Sequence, residues 1–251
     1  MNIGIGFDIN HVDRSLIKQI NILNIENPQY PGFLNCIDIE SKNKIRELGF
    51  RGSIIVDGPY IDLNPGTPEP AIREVVRRKV LEAIDYAKSI DAKEIIFLST
   101  YLPIIQVEFY DRGWIEGSIQ FWKEITCREK VLRISLCNTF EYHPDHMIEI
   151  IEQVNEDNLG LALDIGHVLA YGKIGIDEWY ERVEKYIHTL YIHSNERAGD
   201  LHMNIMEGQL LKDQGFMRIR HRMKEKNLIL KPFHKNRLVE NISTLKAFTT
   251  G

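Results

Sequence analysis

Five side chains that could do chemistry lie close together in the second half of this chain: Asp164, His167, His193, Asp200 and His202. Carboxylate and imidazole together make the ligand set that zinc, manganese, iron or cobalt takes. His167, Asp200 and His202 offer three ligands, enough for a catalytic divalent metal, zinc or manganese, whose fourth position is left to water or substrate. A hydrogen-bonded network without metal is the other reading of the same residues. Lys231 is an isolated amine in the apolar run Leu228-Ile229-Leu230-Lys231. It could polarise a substrate oxygen or, with its pKa lowered by burial, serve as a base or Schiff-base nucleophile. The plain alternative is a rim lysine that salt-bridges a neighbour. The segment Lys231-Pro232-Phe233-His234-Lys235-Asn236-Arg237 is basic. With Arg197 and His234 it suits an anionic small molecule, and a solvated loop explains it equally well.

Elements that bring these residues together are legible as periodicity. Short β-branched runs recur at Asn2–Phe7, Phe33–Ile39, Ser53–Asp57, Glu94–Ser99, Leu132–Asn138, Leu159–Ile165, Thr189–Ser194 and Asn227–Lys231. Most are continuously apolar, as strands covered on both faces are. Helical patterns fall between them, most clearly at Glu69–Ile90, where Ile72, Val75, Val76, Val80, Ile84 and Ala87 repeat at three or four residues. Thr67 is read as its cap, with Pro68 at the first helical position. His146–Val154, Ile176–Ile187 and Arg237–Phe248 carry the same signal, and Asp13–Ile22 a short helix. The alternation predicts an α/β chain, one (β/α)₈ TIM barrel over residues 1–251. Tyr101–Gly117 is expected as a long aromatic loop.

Active sites of such barrels sit at the carboxyl ends of the strands. The polar strand ends are Asp8, then Asp38 and Glu40, Asp57, Ser99, Cys137 with Asn138, Asp164, His193 and Lys231. Asp57 and Asn138 are accordingly candidate substrate contacts. Net charge is −5, which argues against a nucleic-acid surface. No 18-residue apolar run and no basic leader occur, so a cytoplasmic chain is expected. Three cysteines without C-x-x-C spacing exclude a disulfide framework. A homodimer is left open.

Leu163-Asp164-Ile165-Gly166-His167, Ile192-His193-Ser194-Asn195, Gly199-Asp200-Leu201-His202 and Glu207-Gly208, with Gly58-Pro59-Tyr60 and Asn138-Thr139, carry a further signal. This pattern resembles the xylose-isomerase-like TIM-barrel superfamily, which holds the endonuclease IV family and many sugar isomerases and epimerases. The resemblance implies a barrel with metal chemistry at its mouth. It assigns His167, Asp200 and His202 to one metal, and Asp164 and His193 to another. Asp57 and Leu98 stand where that pattern has histidines, and Cys137 and Lys231 where it has glutamates. Lys231 is therefore expected to replace the metal at Asp164–His193, pairing with Asp164. The implied activity is proton transfer beside a carbonyl of a small polyol, sugar or sugar phosphate, with Lys231 or His193 as base and Asp164 orienting it. A metal-dependent phosphoester hydrolase and a non-catalytic binding barrel are the alternatives.

Overall fold

A computed structural model describes residues 1–7, 12–26, 43–197, 199–233 and 237–250. Eight parallel strands close into a barrel in chain order, β1 pairing with β8. They are β1 Asn2–Phe7, β2 Ile22–Ile25, β3 Ser53–Asp57, β4 Glu94–Leu98, β5 Arg133–Cys137, β6 Leu159–Asp164, β7 Ile187–Ile192 and β8 Asn227–Leu230. The helices are α1 Arg14–Ile17, α2 at 43–48, α3 Pro70–Ser89, α4 Glu108–Arg128, α5 Asp145–Val154, α6 Ile165–Tyr171, α7 Ile176–Val183, α8 Gln214–Met223 and α9 Leu238–Thr250. The expected TIM barrel is thus present. Among the described residues no helix is long and apolar enough to cross a membrane.

Four expectations change. The second strand is Ile22–Ile25, not Phe33–Ile39, a segment that lies outside the described residues with Asp38 and Glu40. Four residues are too short to announce a strand by periodicity. All four are buried, because β2 is sandwiched between the barrel interior and the surrounding helices. The first helix is correspondingly short, at Arg14–Ile17. The cap of α3 is Glu69, whose side chain accepts from the Ala71 N–H, with Pro70 rather than Pro68 at the helix start. The aromatic segment is not all loop: α4 begins at Glu108 and buries Trp114, Phe121 and Trp122.

Successive strand residues alternate between the interior and the helix-facing side. Ile22, Ile55, Ile96, Cys137, Ala162, Tyr191 and Ile229 form the apolar layer inside the barrel. Two residues further along each strand, the same parity aims Asn24, Asp57, Leu98, Asp164, His193 and Lys231 into the mouth. Two residues back, it aims Glu94, Ser135, Thr189 and Asn227 at the floor. The main core lies between the outer face of the barrel and the helices and includes Ile5, Val56, Val80, Trp122, Leu163 and Ile192.

Candidate metal centre and the mouth of the barrel

Strand β6 ends at Asp164, which doubles as the N-cap of α6: its Oδ1 accepts from the His167 N–H at 2.9 Å. This cap turns His167 back over the mouth. His193 follows β7, and the loop after it brings in Asp200 and His202. Asn195 organises that loop. Its amide donates to Gly166 O at 2.8 Å and to Asp200 Oδ1 at 3.1 Å, and its Oδ1 accepts from the N–H groups of Leu201 and His202. His202 sits at φ +44°, a left-handed backbone for a non-glycine residue. Gly166 leaves room for the His193 ring, since a Cβ there would lie 2.1 Å from His193 Cε1.

The four side chains His167, His193, Asp200 and His202 place one ligand atom each within 4.8 Å of all the others. Hydrogen bonds fix which ring nitrogen faces inward. His167 Nδ1 donates to Asn138 O at 2.7 Å, and His202 Nδ1 donates to Lys231 O at 2.7 Å. Each thereby turns Nε2 toward Asp200 Oδ2, at 3.1 and 3.2 Å. His193 Nε2 donates to Asp164 Oδ1 at 2.9 Å, leaving Nδ1 as the inward nitrogen. That Nδ1 is buried without a hydrogen-bond partner and lies 3.9 Å from Asp200 Oδ1. A bare imidazole lone pair facing a carboxylate is unfavourable unless a cation lies between them. Backbone carbonyls or carboxylates on the outer ring nitrogens are also what orient metal-binding histidines. The residues therefore fit one divalent ion, and three imidazoles with one carboxylate suit zinc.

Charge reinforces this. Burial alone would raise the pKa of Asp164, but His167 and His193 outweigh it and hold the carboxyl well below the usual range. Asp200 is likewise depressed, burial being overcome by His167 and His202. Burial opposes protonation of His167, yet Asp164 and Asp200 push its pKa up to about 9. Burial keeps His193 low and neutral. The cluster attracts a cation and holds a proton on His167 in its absence.

Across the mouth, Lys231 behaves differently from the expectation. Its Nζ donates to Asp57 Oδ2 at 2.6 Å and Asn24 Oδ1 at 3.3 Å and pairs with Glu26 at 2.8 Å. It does not pair with Asp164, because β2 and β3 supply nearer carboxylates. Tyr191 donates its hydroxyl to Asp57, and Asn24 Nδ2 donates to Asp57 Oδ1 at 2.8 Å. Burial would lower the lysine pKa, but Asp57 and Glu26 dominate and hold it well above the usual range. Its charge partners hold Lys231 as an ammonium, an arrangement that works against the base and Schiff-base readings. Gly6 accommodates it: a Cβ there would lie 2.1 Å from Lys231 Cδ.

Of the remaining expected contacts, Asn138 is buried and points out of the interior. Its amide bridges the backbone N–H and C=O of Asp164, at 2.7 and 3.1 Å, so it holds β6 rather than substrate. Arg197 is exposed and pairs with Asp213 at 3.1 Å, away from the cluster. Asp8 and His234 lie outside the described residues. Cys137 is a buried wall residue whose thiol burial pushes up in pKa. Sequence reasoning missed Glu26, Asn24 and Tyr191, and quoted Asn195 in a motif without giving it a role. Tyr191 stands on β7 two residues before His193, so strand parity was a signal for it, whereas Asn24 lies in, and Glu26 just after, a strand too short to announce itself.

Known proteins share this fold. A curated protein of Methanocaldococcus jannaschii, MJ1311, whose function is uncharacterised, is 24% identical over an alignment of 183 positions that covers 68% of this chain. The chain covers 60% of that relative's length. A D-tagatose 3-epimerase-like protein has the same fold, with TM-score 0.81 and 20% identity over 99% of this chain and 97% of that one. The TTHB071 protein of Thermus thermophilus, soaked with zinc chloride, matches with TM-score 0.75 and 18% identity over 99% and 98%. Sugar epimerases and a dehydratase are among the other solved structures that share the fold. The family model described as xylose isomerase-like TIM barrel matches residues 27–247, and the chain belongs to that family.

Proposed function

We propose that this protein is an isomerase- or epimerase-type enzyme acting on a small polyol, sugar or sugar phosphate at the barrel mouth. One divalent ion, zinc or manganese, is held by His167, His193, Asp200 and His202. The observation that carries this reading is the buried, unpartnered His193 Nδ1 facing Asp200. The ion would polarise a carbonyl or hydroxyl oxygen of the substrate. Lys231 takes the place at the end of β8 where related barrels carry a glutamate, and it stands there as an ammonium. It joins the two sides of the mouth: its carbonyl holds His202 and its ammonium holds Asp57 and Glu26. The ammonium anchors both carboxylates. They are the groups able to accept a proton from a carbon next to a carbonyl. Glu26, the more exposed of the two, is the one open to substrate.

The test incubates the zinc-loaded protein with a panel of ketoses, ketose phosphates and dehydrated analogues in D₂O, followed by NMR. Deuterium entering carbon next to a carbonyl, lost in Glu26→Gln and in His202→Ala, is expected. The retained His167–Asp200–His202 trio also favours a second reading, hydrolysis of a small phosphoester. Phosphate release from phosphomonoesters without any deuterium exchange selects that one. Stoichiometric binding of a small molecule with neither reaction leaves a non-catalytic binding barrel.

A further inference from the structure

One buried carboxyl beside the mouth belongs neither to the metal centre nor to the Lys231 cluster. Glu141 lies in the loop between β5 and α5 and is 3% exposed. Its Oε1 accepts from Ser99 Oγ, and its Oε2 accepts from the Thr139 N–H at 2.6 Å. Burial raises its pKa, against the pull of those two hydrogen bonds. A carboxyl out of water is unfavourable unless its oxygens are satisfied, and an apolar side chain would fill the same space without that cost. The two groups that Glu141 holds stand at the ends of two different strands.

Ser99 follows β4, and its N–H donates to Cys137 O at 2.9 Å. Thr100, the next residue, sits at φ +60°, a left-handed backbone for a β-branched side chain. Thr139 stands in the turn after β5, and its Oγ1 lies 3.3 Å from Ser99 Oγ. The Glu141 carboxyl thus ties the end of β4 to that turn. Asn138 is where the turn reaches the metal centre. Its side chain grips the backbone of Asp164, and its carbonyl accepts from His167 Nδ1 at 2.7 Å. The Asn138 C=O and the Thr139 N–H are opposite edges of one planar peptide group. Glu141 and His167 therefore hold the same rigid plate from its two sides.

We infer, on the reading that His167, His193, Asp200 and His202 hold a divalent ion, that Glu141 is a positioning residue of that centre, acting on His167 through the Asn138–Thr139 peptide. Metal-binding imidazoles are commonly oriented by a carboxylate in direct contact. Here a peptide group stands between the two. Fixing its N–H fixes its C=O, and with it the line along which His167 Nδ1 donates. His167 Nε2 then stays aimed at Asp200 Oδ2, at 3.1 Å. A carboxylate on the N–H also polarises the peptide and makes its carbonyl a stronger acceptor. Ser99 keeps the carboxyl itself from turning.

Zinc affinity by chelator competition, visible absorption of the cobalt-substituted protein and chemical denaturation of the metal-free protein test it together. Glu141→Ala is expected to weaken zinc binding roughly 20-fold and to shift the cobalt d–d bands. Glu141→Asp keeps the charge but draws the carboxyl back by one carbon, and is expected to lose affinity in the same way. Glu141→Gln keeps an oxygen for the Thr139 N–H and offers its amide to the Ser99 hydroxyl, which can accept. It is expected to bind zinc within about threefold of the wild type and to keep the wild-type cobalt spectrum. Should the alanine variant fail to fold, the aspartate and glutamine variants carry the test between them. A wild-type chain that binds no zinc removes the metal centre, and this role with it. Zinc bound equally well by the wild type and all the variants leaves the metal centre standing and overturns the role of Glu141. Affinity kept in the aspartate variant but lost in the glutamine one overturns it too, in favour of a long-range charge effect. A fall in stability with an unmoved cobalt spectrum makes Glu141 a structural residue only, which overturns it as well.

Discussion

At the floor of the barrel, Glu94 accepts hydrogen bonds from Ser135 Oγ at 2.7 Å and Thr189 Oγ1 at 2.8 Å. His188 Nδ1 lies 2.9 Å from Ser135 Oγ and donates to it, and Asn227 Nδ2 donates to Thr189 Oγ1 at 3.4 Å. At the mouth, with the apolar layer between, three imidazoles converge on one carboxylate and His193 Nδ1 has no partner. Both clusters are largely buried, both hold titratable groups, and strand β7 leads into both. The floor is complete as it stands: none of its side-chain atoms is among the buried polar atoms without a hydrogen-bond partner. The mouth is complete only with a cation. Buried polarity by itself therefore does not identify a site; surplus acceptors do.

The sharpest way to break this distinction is to truncate one member of each cluster and measure zinc affinity by competition with a chelator. His202→Ala is expected to weaken zinc binding by about 10³-fold, or about 4 kcal/mol, because it removes one of four protein ligands. Glu94→Ala should leave zinc affinity unchanged within about twofold. Equal effects from the two changes would mean that mouth and floor are one structural network.

Stability should respond in the opposite order. Glu94→Ala leaves the Ser135 and Thr189 hydroxyls without an acceptor and opens a cavity, a loss of about 3 kcal/mol by chemical denaturation. Glu94→Gln keeps an acceptor for those hydroxyls and should lose much less. Burial raises the pKa of Glu94 and favours its neutral form, so the amide is also the closer mimic.

The floor should also set the acid sensitivity of the fold. Burial, reinforced by Arg133 and Lys226, lowers the His188 pKa to about 4. The folded protein thus resists a proton that the unfolded chain accepts near 6.5. The stability this contributes is fully present above pH 6.5 and is lost as pH falls toward about 4, amounting to about 2 to 3 kcal/mol. Denaturation midpoints measured across that window should slope downward with acid in the wild type and flatten in His188→Gln. An unchanged slope in the variant would place the acid-sensitive group elsewhere.

How much of this the sequence disclosed depends on where each partner comes from. Asp164, His167, Asp200 and His202 were legible because a strand end, a cap and a short loop put them together locally. The barrel itself was legible from seven of its strands, whose β-branched runs survive without context. Ile22–Ile25 was not, because four residues carry no period and its character comes from being covered on both faces. That one miss hid Asn24 and Glu26 and so misassigned Lys231. The sequence placed the ammonium opposite Asp164, whereas Asp57 and Glu26 reach it from across the barrel. Asn138 misled for a related reason. It stands one residue past Cys137, so strand alternation turns it outward onto the β6 backbone. Charge partners supplied by distant strands are set by closure of the barrel, which a linear pattern of residue types does not record.

The smallest expected effect concerns what holds the mouth open for its ion. His202 occupies a left-handed backbone conformation, at a cost on the order of 1 kcal/mol. Something must hold it there. The end of β8 does so in three ways: Lys231 O accepts from Nδ1, Phe233 N–H donates to His202 O at 2.9 Å, and the Phe233 ring stacks on the imidazole at 4.2 Å and 18°. His202 in turn stacks on His193 at 3.7 Å and 4°. Phe233 is nonetheless 63% exposed, so its ring does little for the core. Phe233→Ala keeps the backbone bond and removes only the stack. Zinc should bind about tenfold more weakly, near 1.4 kcal/mol, with the loss mainly in the dissociation rate, while the melting temperature of the metal-free protein stays put. Phe233→Tyr should restore the affinity. If the alanine variant instead holds zinc as tightly as the wild type, the backbone clamp from Asn195 and Lys231 alone fixes His202, and the phenyl ring is a bystander.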